Sequence, residues 1–220
     1  MAYDRPANLA SGATVTEAWV DAVTNSFEAG FPDICTTAGD MVYATAADTG
    51  ARLALGTAPG RLAVGSSAPA WQIVPSCRVY NSGNIDPATS TWVTLTFDSE
   101  RFDHHTMHDT SSNTGRITIP SNGDGVYIIG ACAKFDLSGL SSGEEDIGLR
   151  ILLGGSTVIA EHYFIASHDD VDSAITITTI YELAATNYVE VQGYTSSDVD
   201  IVQEGNLSPV FWASYLARGS

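Results

Sequence analysis

The sequence predicts a mainly β protein: a sandwich or jelly roll over residues 76–220, preceded by an amino-terminal segment over 1–33 that holds a short helix and by an extended connector over 34–75. Three observations carry this prediction. Beyond residue 76, short runs rich in Val, Ile, Thr and Tyr recur between turn clusters such as Ser121-Asn-Gly-Asp-Gly125 and Gly154-Gly155, with no helical periodicity between them. Charged residues make up only 16% of the 220, and Lys134 is the sole lysine, a composition suited to pleated surfaces and turns more than to helices. Several runs, finally, are apolar on both alternating faces.

In chain order, Thr14-Val-Thr-Glu17 reads as a capping box opening a helix over about 14–29, stopped by Gly30 and Pro32. Val15, Trp19, Ala22, Val23 and Phe27 share one face of it. A helix this short is marginal alone in water, so its stripe needs a partner. Trp19 and Phe27 are therefore the candidate anchor into a larger assembly.

The connector holds a short repeat, Ala51-Arg-Leu-Ala-Leu-Gly56 and Gly60-Arg-Leu-Ala-Val-Gly65, each an apolar strand closed by glycine and followed by a turn. Two repeats are too few for a self-sufficient solenoid, which leaves an ordered linker or a segment wound with other chains.

Beyond it, strands are expected at 77–81, 91–97, 116–120, 125–135, 147–153, 157–166, 174–183, 187–195 and 209–217. A sandwich strand with one wet face alternates apolar and polar residues. Residues 126–133, Val-Tyr-Ile-Ile-Gly-Ala-Cys-Ala, have no polar face, and neither do Val210-Phe-Trp-Ala213 or Ile180-Tyr181. With no helix to cover the second face, another subunit is the simplest cover, so an oligomer is expected. Within 125–135, the row Tyr127, Ile129, Ala131, Ala133 and Phe135 should fill the core. The smaller row Val126, Ile128, Gly130, Cys132 and Lys134 should face neighbouring copies, with Lys134 where their axis opens to solvent.

The charge excludes some function classes. With 26 acidic and 9 basic residues the chain carries −17 at neutral pH and repels phosphate backbones and anionic headgroups, so neither nucleic-acid binding nor membrane insertion is expected. No apolar run approaches the length of a membrane-spanning helix, and Met1-Ala-Tyr-Asp-Arg lacks the features of a signal peptide, so synthesis in a cytosol is expected. Cys35, Cys77 and Cys132 are odd in number and fit no zinc spacing; free thiols are expected.

Catalytic and metal motifs are weak. Gly139-Leu-Ser141-Ser-Gly143 matches a nucleophile elbow, but an acidic turn and a strand follow where a helix is needed. Asp103-His104-His105-Thr-Met-His108-Asp109 and His168-Asp169-Asp170-Val-Asp172 hold ligand-type residues for a divalent metal and for calcium, without a defining geometry, and read as structural or solvated loops. Glu144-Glu145-Asp146 reads as a solvated loop. No enzyme and no cofactor are expected.

The stretches Thr94-Leu-Thr-Phe97-Asp-Ser-Glu-Arg-Phe102-Asp103, Met107-His-Asp-Thr110, Arg116-Ile-Thr-Ile-Pro120, Gly125-Val-Tyr127-Ile-Ile-Gly-Ala131, Tyr188-Val-Glu-Val191 and Pro209-Val-Phe-Trp-Ala-Ser-Tyr-Leu216 resemble a C1q/TNF-like jelly roll of the bacteriophage type. Ile119 stands where the animal C1q pattern prefers Phe. Gly39-Asp-Met-Val-Tyr43-Ala-Thr, the repeat itself and Pro69-Ala-Trp71 resemble a connector of phage tail-fibre and other virion proteins. The resemblance implies a homotrimer of ten-stranded sandwiches, with the sheet containing 125–135, 174–183 and 209–217 facing the threefold axis. Val126, Ile128, Cys132, Ile180 and Trp212 are then the candidate interface residues. It also implies a virion location, other virion proteins as partners of the amino-terminal segment, and a host-surface glycan or protein as a contact. Rival readings are a capsid decoration protein or head fibre on a threefold site, a free glycan- or protein-binding module, and a polysaccharide-degrading enzyme.

Overall fold

The computed structural model describes residues 35–46, 49–56, 61–64, 68–72, 74–138, 140, 143–167 and 172–219. The expected helix, with Trp19 and Phe27, lies outside them, as do Ser141, Asp169 and Asp170. The chain divides into two units, Met1–Ile73 and Val74–Ser220.

The first unit contains two antiparallel hairpins. β1 (Met41–Ala46) pairs with β2 (Thr49–Leu53), Tyr43 opposite Ala51, and β3 (Arg61–Val64) pairs with β4 (Pro69–Gln72), Leu62 opposite Trp71. The two repeated strands therefore pair with their own flanking segments. Asp40 staples the first hairpin, its carboxylate accepting the backbone N–H of Thr36, Thr37 and Leu55 and pairing with Arg52 at 3.4 Å. The Trp71 indole N–H donates to the Ala54 carbonyl at 2.7 Å. Among the described residues of this unit no second layer covers these hairpins, and Leu55 and Leu62 are exposed.

The second unit is a sandwich of ten strands: β5 (Ser76–Tyr80), β6 (Val93–Thr94), β7 (Ser99–His104), β8 (Arg116–Thr118), β9 (Gly125–Phe135), β10 (Glu144–Leu153), β11 (Thr157–Ser167), β12 (Ser173–Leu183), β13 (Tyr188–Thr195) and β14 (Val210–Ala217). One sheet has the order β12-β9-β14-β5-β7; the other runs β11-β10-β13-β6, with β8 also on β13. Every pairing is antiparallel. From β5 to β14 the chain changes sheet at every step except β10 to β11, the winding of a jelly roll. Gly154 and Gly155, at φ 62° and 72°, close the β10–β11 hairpin in a left-handed turn that side-chain-bearing residues resist.

The core lies between the sheets. Tyr127, Ile129, Ala131, Ala133 and Phe135 of β9 are all buried, as their alternation predicts, and face Ile147, Leu149 and Ile151 of β10 and Val189 and Val191 of β13. Phe97 packs on Phe211 with ring centroids 5.6 Å apart. Gly125 leaves no space for a Cβ, which would stand 2.5 Å from the Ala217 carbonyl, and the buried Tyr127 hydroxyl donates to the Gly123 carbonyl. Gly125 and Tyr127 thus fix how β9 starts against β14.

Three sequence expectations need correction. The strand expected at 91–97 is only Val93–Thr94. Leu95 and Phe97 are buried but bond outside the ladder, Leu95 N–H to the Val191 carbonyl and Phe97 N–H to the Thr114 carbonyl. The strand β7 was not expected, because Ser-Glu-Arg-Phe-Asp-His offers no apolar row. And Glu144-Glu145-Asp146 opens β10: Glu145 is 1% exposed, its carboxylate accepting the Ser197 N–H at 2.7 Å.

Candidate functional site

The outward face of the β12-β9-β14-β5-β7 sheet is built by register. Thr178 pairs with Gly130, Gly130 with Trp212, Trp212 with Arg78 and Arg78 with Phe102, so these five residues form one row across the sheet. The adjacent row runs Ile180, Ile128, Ser214, Ser76, His104. Val126 and Cys132 lie two residues either side of that pair of rows on β9, so all five sequence-predicted interface residues share this face. Ile180 is 62% exposed, while Val126, Ile128, Cys132 and Trp212 are half-buried. The sequence reading missed Phe102, 43% exposed, because it sits on the unforeseen strand β7.

Gly130 is fixed by its neighbour on β14. Its missing side chain admits the Trp212 indole of the same chain; a Cβ there would lie 2.3 Å from Trp212 Cζ2. Trp212 lies across the sheet, and a groove of about 330 Å³ runs beside it, lined by Cys77, Arg78, Phe102, Trp212, Ala213 and Ser214. Arg78 donates from Nη2 to the Asn206 carbonyl at 2.8 Å, while its Nε is buried without a hydrogen-bond partner among the described residues. Arg101 stacks 4.0 Å over the Tyr80 ring and donates to the Gly205 carbonyl, so two arginines hold the 204–208 loop at this edge. Lys134 pairs with Asp172 and Glu204 at 2.8 and 2.9 Å, and those bonds push its ammonium well above the ordinary lysine range.

The histidines do not converge. His104 stacks on Phe102, His105 is exposed, and His108 is buried, with Nδ1 3.0 Å from Glu100 Oε1 and Nε2 3.1 Å from the Thr114 carbonyl. Asp103 accepts the N–H groups of Met107 and His108 and so closes the loop that follows β7. Among the described residues no group of three His, Cys, Asp or Glu side chains is arranged to hold a metal ion, and no helix is long and apolar enough to cross a membrane. Cys35, Cys77 and Cys132 are free thiols; burial pushes the Cys77 thiol up.

Three surface carboxylates accept a serine hydroxyl: Asp98 from Ser82 across two segments, and Asp109 from Ser111 and Asp136 from Ser138 within turns, at 2.5, 2.7 and 2.5 Å. These bonds hold each carboxyl below its ordinary value. A folded pKa below the unfolded one gives stability that is full above the unfolded carboxylate range, near about pH 4, and is lost as pH falls through the depressed folded values. The triple variant Ser82→Ala, Ser111→Ala, Ser138→Ala is expected to melt below wild type at neutral pH, with the gap closing on acidification below about pH 3. Thermal melts across pH check this; a gap that does not narrow would separate the hydroxyls from the carboxylate charges.

The sandwich defines the class of the second unit as a jelly roll. No family model matches the sequence, and no curated protein does. Among solved structures, the chain is similar to the globular domain of zebrafish complement 1qA protein, with a TM-score of 0.46 and 15% identity over 67% of this chain and 100% of that one.

Proposed function

We propose that this chain is a structural protein of a bacteriophage particle, a surface-exposed fibre or appendage that forms a homotrimer through the β12-β9-β14-β5-β7 face and contacts the host surface with its jelly-roll head. The observation that carries the self-association is that face. Ile180 is exposed beside Ile128, and Phe102 and Trp212 line a groove in which the Arg78 Nε–H has no acceptor among the described residues. An apolar sheet face with an unpaired donor at its centre suits a second copy of the same surface, which removes the apolar area from water and brings acceptors of its own. The phage setting is supported by the connector and jelly-roll motifs of the sequence. The amino-terminal stripe of Trp19 and Phe27 anchors the trimer to other virion proteins in this reading, and the head carries no catalytic function.

The test has two parts. Sedimentation of the full chain is expected to give a single trimeric species at micromolar concentration; a monomer rejects the self-association. The double variant Trp19→Ala, Phe27→Ala is expected to remain a trimer but to be depleted from purified particles, as counted by mass spectrometry. Normal incorporation rejects the anchor. Wild-type copy number separates a tail appendage from a capsid decoration protein on threefold sites.

A further inference from the structure

The outward face of the other sheet carries a second constellation, assembled entirely by register. Tyr194 of β13 lies opposite Gly148 of β10, Gly148 lies opposite Tyr163 of β11, and Trp92 precedes the Val93–Gly193 pair, which sets it beside Tyr194. The three rings form one cluster: Trp92 to Tyr194 at 5.4 Å, Tyr163 to Tyr194 at 5.5 Å and Trp92 to Tyr163 at 6.4 Å between centroids. Gly148 makes this possible, since a Cβ there would stand 2.7 Å from Trp92 Cη2 and 2.9 Å from Tyr163 Cδ2. A polar row runs directly alongside: Thr94, Gln192, Arg150 and Glu161 occupy paired positions on four adjacent strands.

Arg150, Gln192, Thr94 and Tyr163 are held in place before any ligand arrives. The Arg150 guanidinium stacks 4.3 Å over Trp92 and donates from Nε and Nη2 to Gln192 Oε1 at 2.8 and 2.6 Å. The Gln192 amide donates onward to Thr94 Oγ1. The Tyr163 hydroxyl bonds to the Asp146 carboxylate, which pushes the phenol up to about 12. Yet Tyr163 remains 44% exposed, and Trp92 and Tyr194 are only half-buried. Rigid aromatic area bordered by fixed hydrogen-bonding groups, with little left to order on binding, is the composition of a recognition surface.

We propose that this face is a binding platform for a neutral saccharide chain, with Trp92, Tyr163 and Tyr194 as the stacking surface and Gln192 and Arg150 as the edge that binds hydroxyls. A pyranose ring has an apolar C–H face and a rim of hydroxyls, and so uses both kinds of lining at once. A dry apolar partner would strip water from Arg150, Gln192, Asp146 and Glu161 without replacing it. An anionic polymer would meet Asp146 and Glu161 on a chain of net charge −17. The platform occupies the sheet opposite the one assigned to self-association, so a trimer presents three copies outward and gains by avidity. The inference rests on the host-contact reading above for its biological setting and deepens it with a ligand class and a site.

The probes are neutral hexasaccharides of α-glucan, β-glucan, β-linked N-acetylglucosamine, mannan and galactan, titrated into the full chain by calorimetry and tryptophan fluorescence. At least one is expected to bind saturably with a Kd of about 0.1–1 mM. Trp92→Ala, Tyr163→Ala and Gln192→Ala should each weaken that binding by about tenfold or more, while Asn122→Ala in the exposed turn before β9 leaves it unchanged. Gln192→Ala spares the aromatic cluster and keeps the test valid if either ring deletion misfolds. Failure of every probe to saturate below about 10 mM, or variants that bind as wild type, overturns the proposal. So does a change in unliganded sedimentation on Gln192→Ala, which would make this face a protein interface. A monomer that binds saccharide rejects the trimer and keeps the platform; a trimer that binds none does the reverse.

Discussion

Ile129→Asp is expected to prevent folding of the jelly roll. Ile129 is fully buried at the centre of β9, with Thr179 of β12 and Ala213 of β14 beside it across the ladder. A carboxylate there meets the packed core cluster and no cationic side chain. Deleting a buried isoleucine side chain alone costs about 2–5 kcal/mol, and an unpaired buried charge adds several more before it protonates instead. A domain of this size is stabilised by only about 5–15 kcal/mol in total. The sum is comparable with that whole margin, so circular dichroism should show loss of the β signal and the protein should partition to the insoluble fraction. A soluble, cooperatively melting Ile129→Asp protein would mean that the row Tyr127, Ile129, Ala131 does not face the core.

What made that residue legible in advance was period two. Along β9 the alternation of larger and smaller apolar side chains matches the two faces of the folded strand, and the register then follows for its neighbours β12 and β14. Where the sequence misled, alternation and hydrogen bonding had come apart. In Trp92-Val-Thr-Leu-Thr-Phe97, Leu95 and Phe97 point into the core, but the backbone leaves the ladder after Thr94. The pattern reports which side chains are buried and is silent on where the backbone bonds go. The converse holds in β7, an edge strand whose pairing with β5 needs no apolar row. Glu145 was misread for a third reason. Composition marked the acidic run as solvated, whereas the position of Glu145 on the inward side of a strand end lets one backbone N–H satisfy it.

The aromatic platform was beyond the sequence altogether. Trp92, Gly148, Tyr163 and Tyr194 are spread over three connections, and no local pattern marks them as neighbours. Only the pairings of β10 with β11 and β13, and of β13 with β6, set them side by side. The roles of Gly130 and Gly148 were equally hidden, because each is explained by an indole that reaches it across the sheet. The five interface candidates were accessible to sequence reasoning because all of them lie on runs that are apolar on both faces, an anomaly visible without a structure.

Those runs lead to the second large effect. Ile180→Asp is expected to leave the fold intact and to abolish self-association. The side chain is 62% exposed in the single chain, so within one protomer the substitution removes little buried surface and should shift stability by no more than about 0.5 kcal/mol. In the proposed trimer the same position is covered, and three copies of the carboxylate are desolvated around one axis with Ile128 and Trp212 as neighbours. The penalty is paid three times, several kcal/mol per assembly, and like charges add repulsion. Ile128→Asp, directly opposite in the ladder, should act in the same way. Sedimentation and circular dichroism on the pair, beside Ile129→Asp, give a clean contrast: folded monomer at 128 and 180, no fold at 129. A stable trimer of Ile180→Asp would move the interface off this face. Loss of folding in Ile180→Asp would show instead that the exposed row is needed within the protomer, which its exposure and the dense core on the other side of β12 argue against.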